Sequence, residues 1–332
     1  MPLFTDEERK VVGTAYKQQS REQAIKEGLD FFGPKMRRMV EEVERIADCS
    51  PDSYREQIAD SEGKSQEDQS KIDNRQSEIF VYCWRGGMRS GAVAWLLDLY
   101  GFKVNVLSGG YKAYRNHVLQ TLAKPWNLKI LGGYTGSGKT ETLHALAQRG
   151  KAVIDLEALA AHKGSAFGNI GMPPQPTQEL FENRLVEELE RHGLERTIWL
   201  EDESQRIGGV NIPGPLWETM RRSEVVFLDI PFDERLAHIV EEYGGLDPVR
   251  LSDAIGRISK RLGGLETKNA LESLAAGNVR DCFSVLLKYY DKRYGKGLLN
   301  RENLPSLLTK IDCRGVDAHQ NASLLTPNPT RT

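Results

Sequence analysis

Four cysteines are spread through 332 residues, at Cys49, Cys83, Cys282 and Cys313, and no two have the spacing of a zinc site or a disulfide framework. A reducing cytoplasm is the expected compartment, and no resident metal is expected. The six histidines are scattered, and no His-Glu-x-x-His pattern occurs, which excludes a helix-borne zinc hydrolase of that type. No apolar run approaches the length of a membrane span, so no membrane partner is expected. The acidic start, with Thr5, Asp6, Glu7 and Glu8, lacks the apolar core of a signal peptide. Excess positive charge is also missing. The net charge is −2, so any nucleic-acid site must be a local patch. No internal repeat is present. What remains is a chain with 39% hydrophobic and 28% charged residues, long enough for two ordinary domains.

Residues 1–47 read as helical. Thr5 to Glu8 is a helix start, and apolar residues at Met36, Met39, Val40, Val43 and Ile46 mark one face of an amphipathic helix. Residues 48–78 are polar with almost no apolar anchors, which predicts a surface loop, partly disordered. The apolar run Ile79 to Tyr82 predicts a strand, followed by a helix to Tyr100 and a short strand, Val104 to Leu107. The segment Ser108-Gly109-Gly110-Tyr111-Lys112 opens another helix. A linker with Lys124-Pro125 then divides the chain. Beyond it, strands at 128–131, 152–154, 197–200 and 225–228 alternate with helical segments, including a strong helix at 177–192. Residues 233–294 are mostly helical, and 307–311 returns as a last strand. Strand–helix alternation predicts α/β domains with parallel sheets and a helical C-terminal part.

The most reactive stretch is Cys83-Trp84-Arg85-Gly86-Gly87-Met88-Arg89-Ser90. A cysteine at a strand end, a Gly-rich turn and a helix start place backbone N–H groups around the sulfur. The helix N-terminus adds partial positive charge, and Arg85 and Arg89 add full charges. All three favour the thiolate, the nucleophilic form. A buried strand cysteine before a tight turn is the blander alternative, but packing does not explain two glycines and two arginines straight after it.

The second constellation is Gly133-Tyr134-Thr135-Gly136-Ser137-Gly138-Lys139-Thr140, a full Gly-x4-Gly-Lys-Thr phosphate loop between a strand and a helix. Its amides suit a diphosphate at a helix N-terminus, Lys139 a terminal phosphate, and the Thr140 hydroxyl Mg²⁺. Asp155 and Glu157 follow the next strand, where carboxylates face the phosphate site of such a sheet. The segment His162 to Gly168, containing Ser165, reads equally as a connecting loop or a substrate loop. Glu201, Asp202 and Glu203 end the strand 197–200, with Arg206 just beyond. Adjacent carboxylates repel one another, which hints at a cation partner. Of these, Asp155, Glu157, Ser165, Asp202 and Arg206 are the candidates for supporting the phosphate loop. Arg257, Lys260 and Arg261 share one helical face. A solvated face is the commoner explanation, and a phosphate or RNA-backbone contact is the functional one.

The cysteine loop resembles the active-site loop of rhodanese domains, and its wording resembles the tRNA 2-selenouridine synthase family, which joins a rhodanese domain to a P-loop domain. The Gly109-Gly110-Tyr111-Lys112-Ala113 segment, Asp155-Leu156-Glu157, His162 to Gly168, Leu200 to Ser204 and the Tyr289 to Tyr294 stretch are also similar to that family. The resemblance spans residues 2–290 and implies a rhodanese-like parallel-sheet domain over 1–122 and a P-loop NTPase-like domain over 125–332. Family members carry one further strand–helix unit, roughly 30 residues by the usual size of such units, ahead of the Pro2-Leu3 stretch. An incomplete rhodanese domain is therefore expected here. The implied chemistry is conversion of 2-thiouridine to 2-selenouridine at the tRNA wobble position. Geranyl diphosphate first alkylates the sulfur, and selenium from selenophosphate then displaces it, with Cys83 as chalcogen carrier. Implied partners are tRNA and a selenophosphate-supplying enzyme, and no cofactor is tightly bound. Two other readings stay open at this point: an ATP-dependent kinase or NTPase with a rhodanese sensor, and a non-catalytic phosphate-binding scaffold.

Overall fold

The computed structural model describes residues 2–48 and 78–326. The polar loop expected over 48–78 lies almost wholly outside the described residues. The chain divides into two compact units, residues 1–117 and 118–332.

The first unit begins with helices α1 (Asp6–Gln18), α2 (Arg21–Phe32) and α3 (Met36–Asp48). Thr5 starts α1 through a capping box: its hydroxyl accepts from the Glu8 amide at 3.3 Å, and the Glu8 carboxylate accepts from the Thr5 amide at 2.9 Å. Strand β1 (Glu78–Val81) leads through the cysteine loop into α4 (Met88–Tyr100), then β2 (Lys103–Val106) and α5 (Gly110–Leu122). β1 and β2 pair in parallel, Ile79 opposite Val104 and Val81 opposite Val106. The core packs Met39, Val40 and Val43 of α3 against Val93, Leu96 and Leu97 of α4, with Phe102 beneath. Ile46, which periodicity placed on the buried face of α3, is instead 59% exposed. The other face of β1 is open as well, and Phe80 and Tyr82 are exposed.

The second unit contains a parallel five-stranded sheet. Its elements are β3 (Leu128–Gly133), α6 (Lys139–Gln148), β4 (Ala152–Ile154), α7 (Leu156–Ala160), α8 (Gln178–His192) and β5 (Ile198–Glu201). A small antiparallel hairpin, β6 (Arg206–Ile207) and β7 (Val210–Asn211), precedes α9 (Gly214–Arg222) and β8 (Glu224–Asp229). Helices α10 (Phe232–Tyr243), α11 (Pro248–Leu262), α12 (Gly264–Ala275) and α13 (Val279–Leu299) follow. A single turn at Leu304–Leu307 leads into β9 (Leu308–Asp312), and α14 (Ala318–Leu325) comes last. The strand order is β4-β5-β3-β8-β9. Ile130, Leu131, Leu200, Val225 and Leu228 are fully buried, as continuous apolar strands covered on both faces must be. From β3 the chain crosses to the β5 side, and from β8 to the β9 side. The crevice at the carboxyl ends of β3 and β8 is therefore a topological switch point, where such sheets bind ligands. The strands and helices agree with the sequence reading to within a few residues. The hairpin, α7 and α14 were not anticipated, being too short or too polar to give a periodic signal.

Candidate functional site

Cys83 sits just past β1, half-buried at the mouth of its loop. Its Sγ accepts the Gly87 amide at 3.2 Å and lies 3.3 Å from the Ser90 hydroxyl, which is also within reach of the Gly87 carbonyl at 3.0 Å. Burial on its own raises the thiol pKa. The Ser90 hydroxyl and the amides of Gly87, Ser90 and Arg85 outweigh it and bring Cys83 down to about 6. At neutral pH the sulfur is thus mostly thiolate. Hydrogen bonds dominate this lowering. Arg85 contributes through its backbone amide, and the side chains of Arg85 and Arg89 are exposed at the rim.

The Ser108 to Lys112 segment holds this loop from behind. The Tyr111 amide donates to the Cys83 carbonyl at 2.9 Å and the Lys112 amide to the Trp84 carbonyl at 3.0 Å. Gly86 and Gly110 meet face to face, both at φ +63°. A Cβ on Gly110 would lie 2.1 Å from the Cys83 carbonyl oxygen and 2.3 Å from the Gly86 nitrogen. Only glycine lets these two turns touch.

The phosphate loop runs from the end of β3 to the start of α6. Gly133, Gly136 and Gly138 take positive φ, and Lys139 Nζ donates to the Gly133 carbonyl at 3.2 Å. The Ser137 hydroxyl is buried and makes no hydrogen bond within the protein, which calls for a partner from outside it. Thr140 Oγ1 lies 3.1 Å from Glu201 Oε2 and 3.2 Å from Glu157 Oε2. Glu203 completes this group, and the carboxylate oxygens of Glu157, Glu201 and Glu203 lie within 4.8 Å of one another. Burial, then mutual repulsion, pushes Glu201 well above the carboxylate range. Burial and the Glu203 charge raise Glu157 to about 8, and burial raises Glu203 to about 7 against the opposing pull of Lys139. Three hard oxygen donors beside a P-loop threonine suit Mg²⁺.

The sequence placed the acidic function on Asp155, Glu157 and Asp202, and the structure distributes it differently. Asp155 caps α7, accepting the Ala158 amide at 2.8 Å, and pairs with His144 at 2.8 Å. Asp202 faces away from Glu201 and Glu203. Its carboxylate accepts from the Tyr294 hydroxyl at 2.7 Å and from Arg301. Strand β5 ends at Glu201, and the Glu203 amide turns back to the Glu201 carbonyl at 3.0 Å, so the chain leaves the strand in a tight turn with Asp202 at its centre. Arg206 is exposed and donates to the Gly208 carbonyl of its own hairpin at 2.9 Å. The Ser165 hydroxyl accepts the Phe167 amide at 3.2 Å and shapes the 162–168 loop. That loop reaches the carboxylates through Gly164, at φ +63°, where a Cβ would lie 2.4 Å from Glu203 Oε2. Arg257 donates to the Ala166 carbonyl at 2.9 Å. It lines an open cleft of about 200 Å³ with Asn169, Ile170, Arg250 and Asp253. Lys260 and Arg261 are exposed on the same helix.

Both units are similar to known proteins. Residues 44–117 match the rhodanese-like domain, and residues 126–245 match the tRNA 2-selenouridine synthase AAA domain. A tRNA 2-selenouridine synthase from Hydrogenovibrio crunogenus is 34% identical over 330 residues, covering 89% of this chain and 82% of that protein. One from Nitrosomonas europaea is 32% identical, covering 89% and 71%, and one from Aeromonas salmonicida is 31% identical, covering 97% and 88%. An activated thiol on a rhodanese-like loop, a complete phosphate loop, and likeness along nearly the whole chain together place this chain in the tRNA 2-selenouridine synthase family.

Proposed function

We propose that this enzyme converts 2-thiouridine to 2-selenouridine at the wobble position of tRNA, with selenophosphate as selenium donor and a geranylated 2-thiouridine, made from geranyl diphosphate, as intermediate. The observation that carries the reading is Cys83, a thiol near pKa 6 held by Ser90 and the amides of its loop, in a chain that also has a complete phosphate loop. A thiolate of this kind is the nucleophilic form of the carrier, and to hold selenide-level selenium from selenophosphate as a selenyl-sulfide it must pass two electrons to a disulfide co-reactant, which leaves as two thiols. Alkylation supports the second step, because an S-alkylated thiouridine has a better leaving group than the parent thiocarbonyl. Both co-substrates carry phosphate groups, which the amides of Gly136 to Thr140 and the Lys139 ammonium are suited to bind. Thr140, Glu157, Glu201 and Glu203 would hold a Mg²⁺ ion, which supplies charge neutralisation for a bound diphosphate. The exposed Arg257, Lys260 and Arg261 are candidates for the tRNA backbone.

The test is reconstitution. The purified chain is incubated with tRNA bearing 2-thiouridine, geranyl diphosphate and selenophosphate, and the nucleosides are read by mass spectrometry. The expected products are geranylated 2-thiouridine without selenophosphate and 2-selenouridine with it. ATP turnover without RNA, and no change in the nucleosides, would instead favour the kinase or NTPase reading.

A further inference from the structure

Helix α13 makes contacts that the reaction outlined above does not use. It presents Tyr290, Asp291 and Tyr294 within little more than one turn, and each reaches a different part of the phosphate site. The Tyr294 hydroxyl accepts the Gly133 amide at 3.2 Å, at the first residue of the phosphate loop, and donates to Asp202 at 2.7 Å. Asp202 is fixed on its other oxygen by Arg301, whose side chain is fully buried and also donates to the Met220 carbonyl at 2.8 Å. Asp291 grips Arg235 with both oxygens, at 2.8 and 2.9 Å. That guanidinium is buried, lies over the Tyr134 ring at 4.9 Å, and donates to the Thr135 carbonyl at 3.0 Å. Tyr290 accepts the Ala166 amide at 3.3 Å, in the loop beside the carboxylates.

We infer that Asp291, acting through Arg235, and Tyr294 are positioning residues of the phosphate loop, setting the conformation in which its amides meet a diphosphate. A carbonyl engaged by Arg235 is not turned toward an anion, where it would repel. A Gly133 amide tied to Tyr294 fixes where the loop leaves β3. The planar Arg235 fork makes two bonds to Asp291 while its Nη1 also serves Thr135, a geometry that lysine does not reproduce. The Asp202 carboxylate is thereby spent on orienting Tyr294 rather than on the acidic cluster. Preorganisation of this kind lowers the ordering cost of binding, so its loss appears as weaker anion affinity. The inference rests on the reading of residues 133–140 as a phosphate site.

The experiment uses the full chain and inorganic pyrophosphate as probe, with affinity measured by calorimetry. Tyr294→Phe removes one hydroxyl and keeps the ring packed on Tyr134 and Phe227. It is expected to weaken pyrophosphate about tenfold, with Asp291→Asn and Arg235→Lys weakening it at least as much. In a Lys139→Ala background, which has lost the main phosphate contact, the Tyr294→Phe effect should shrink, because both changes act on one loop. Wild-type pyrophosphate affinity in a folded Tyr294→Phe chain would overturn the inference. So would full additivity with Lys139→Ala, or a wild-type chain that does not bind pyrophosphate. Tight, Tyr294-dependent pyrophosphate binding in a chain that forms no 2-selenouridine would uphold this inference and sink only the proposed reaction.

Discussion

Cys83 has a folded pKa of about 6 against an ordinary value of 9.0, so its thiolate persists down to mildly acidic pH. Alkylation by iodoacetamide should therefore rise with a midpoint near pH 6, identified at Cys83 by peptide mass spectrometry. Ser90→Ala removes the hydroxyl that lowers this value most and should move the midpoint upward. A midpoint near 9 in the parent chain would remove the basis for a carrier thiol. Lys139→Ala tests the phosphate loop at the same scale. A charge-assisted contact to phosphate is worth about 1.5–3 kcal/mol, or roughly one to two decades in affinity for geranyl diphosphate or selenophosphate. Unchanged affinity for both would mean the loop serves another ligand. The carboxylates give a third test. Glu157, Glu201 and Glu203 have folded pKa values above their unfolded ones, so protonation stabilises the fold. The contribution of Glu157 and Glu203 is fully present below the unfolded carboxylate range, about pH 4, and is lost as pH rises through about 7 to 8, and Glu201 acts in the same direction. Without divalent ions, the melting temperature of the second unit should fall over that interval, and Mg²⁺ should reverse the fall. A flat profile unaffected by Mg²⁺ would contradict the cluster's buried, mutually repelling arrangement.

Among the elements, the contrast between β1 and β3 is the sharpest. β3 is almost wholly buried between β5 and β8, whereas β1 alternates exposed and half-buried and pairs with β2. Open strands have low-energy local openings, so amide exchange should be fast at 79–82 and slow at 128–131. Equal protection of the two strands would show that the first unit closes its sheet more firmly than these contacts allow. Much at this scale was legible in the sequence. The central strands of the second unit are continuous apolar runs, and the phosphate loop has invariant spacing, so β3 and α6 follow from local pattern alone. The acidic site was only half legible. Glu157 follows directly from a strand end, but choosing Glu201 and Glu203 over Asp202 needs the tight turn that follows β5 and the distant partners of Asp202. The roles of Asp291 and Tyr294 were not legible, because contacts across 56 to 161 residues leave no local periodicity. Arg85 and Arg89 are the opposite case. Their charges stood out in the sequence, while the loop's own amides and Ser90 do most of the activation.

Taken as a whole, the molecule carries two motifs on two compact units, a hydrogen-bonded cysteine on residues 1–117 and a P-loop sequence on residues 118–332. Neither alone specifies a tRNA reaction. Their combination along one chain, with family likeness over 89% of it, points to selenium transfer. The most direct measurement is of nucleosides in bulk tRNA from cells lacking the gene, complemented with either the parent chain or Cys83→Ser. 2-Selenouridine is expected to return with the parent chain and to stay absent with Cys83→Ser, since an unactivated hydroxyl cannot carry selenium. Normal 2-selenouridine with Cys83→Ser would contradict that expectation.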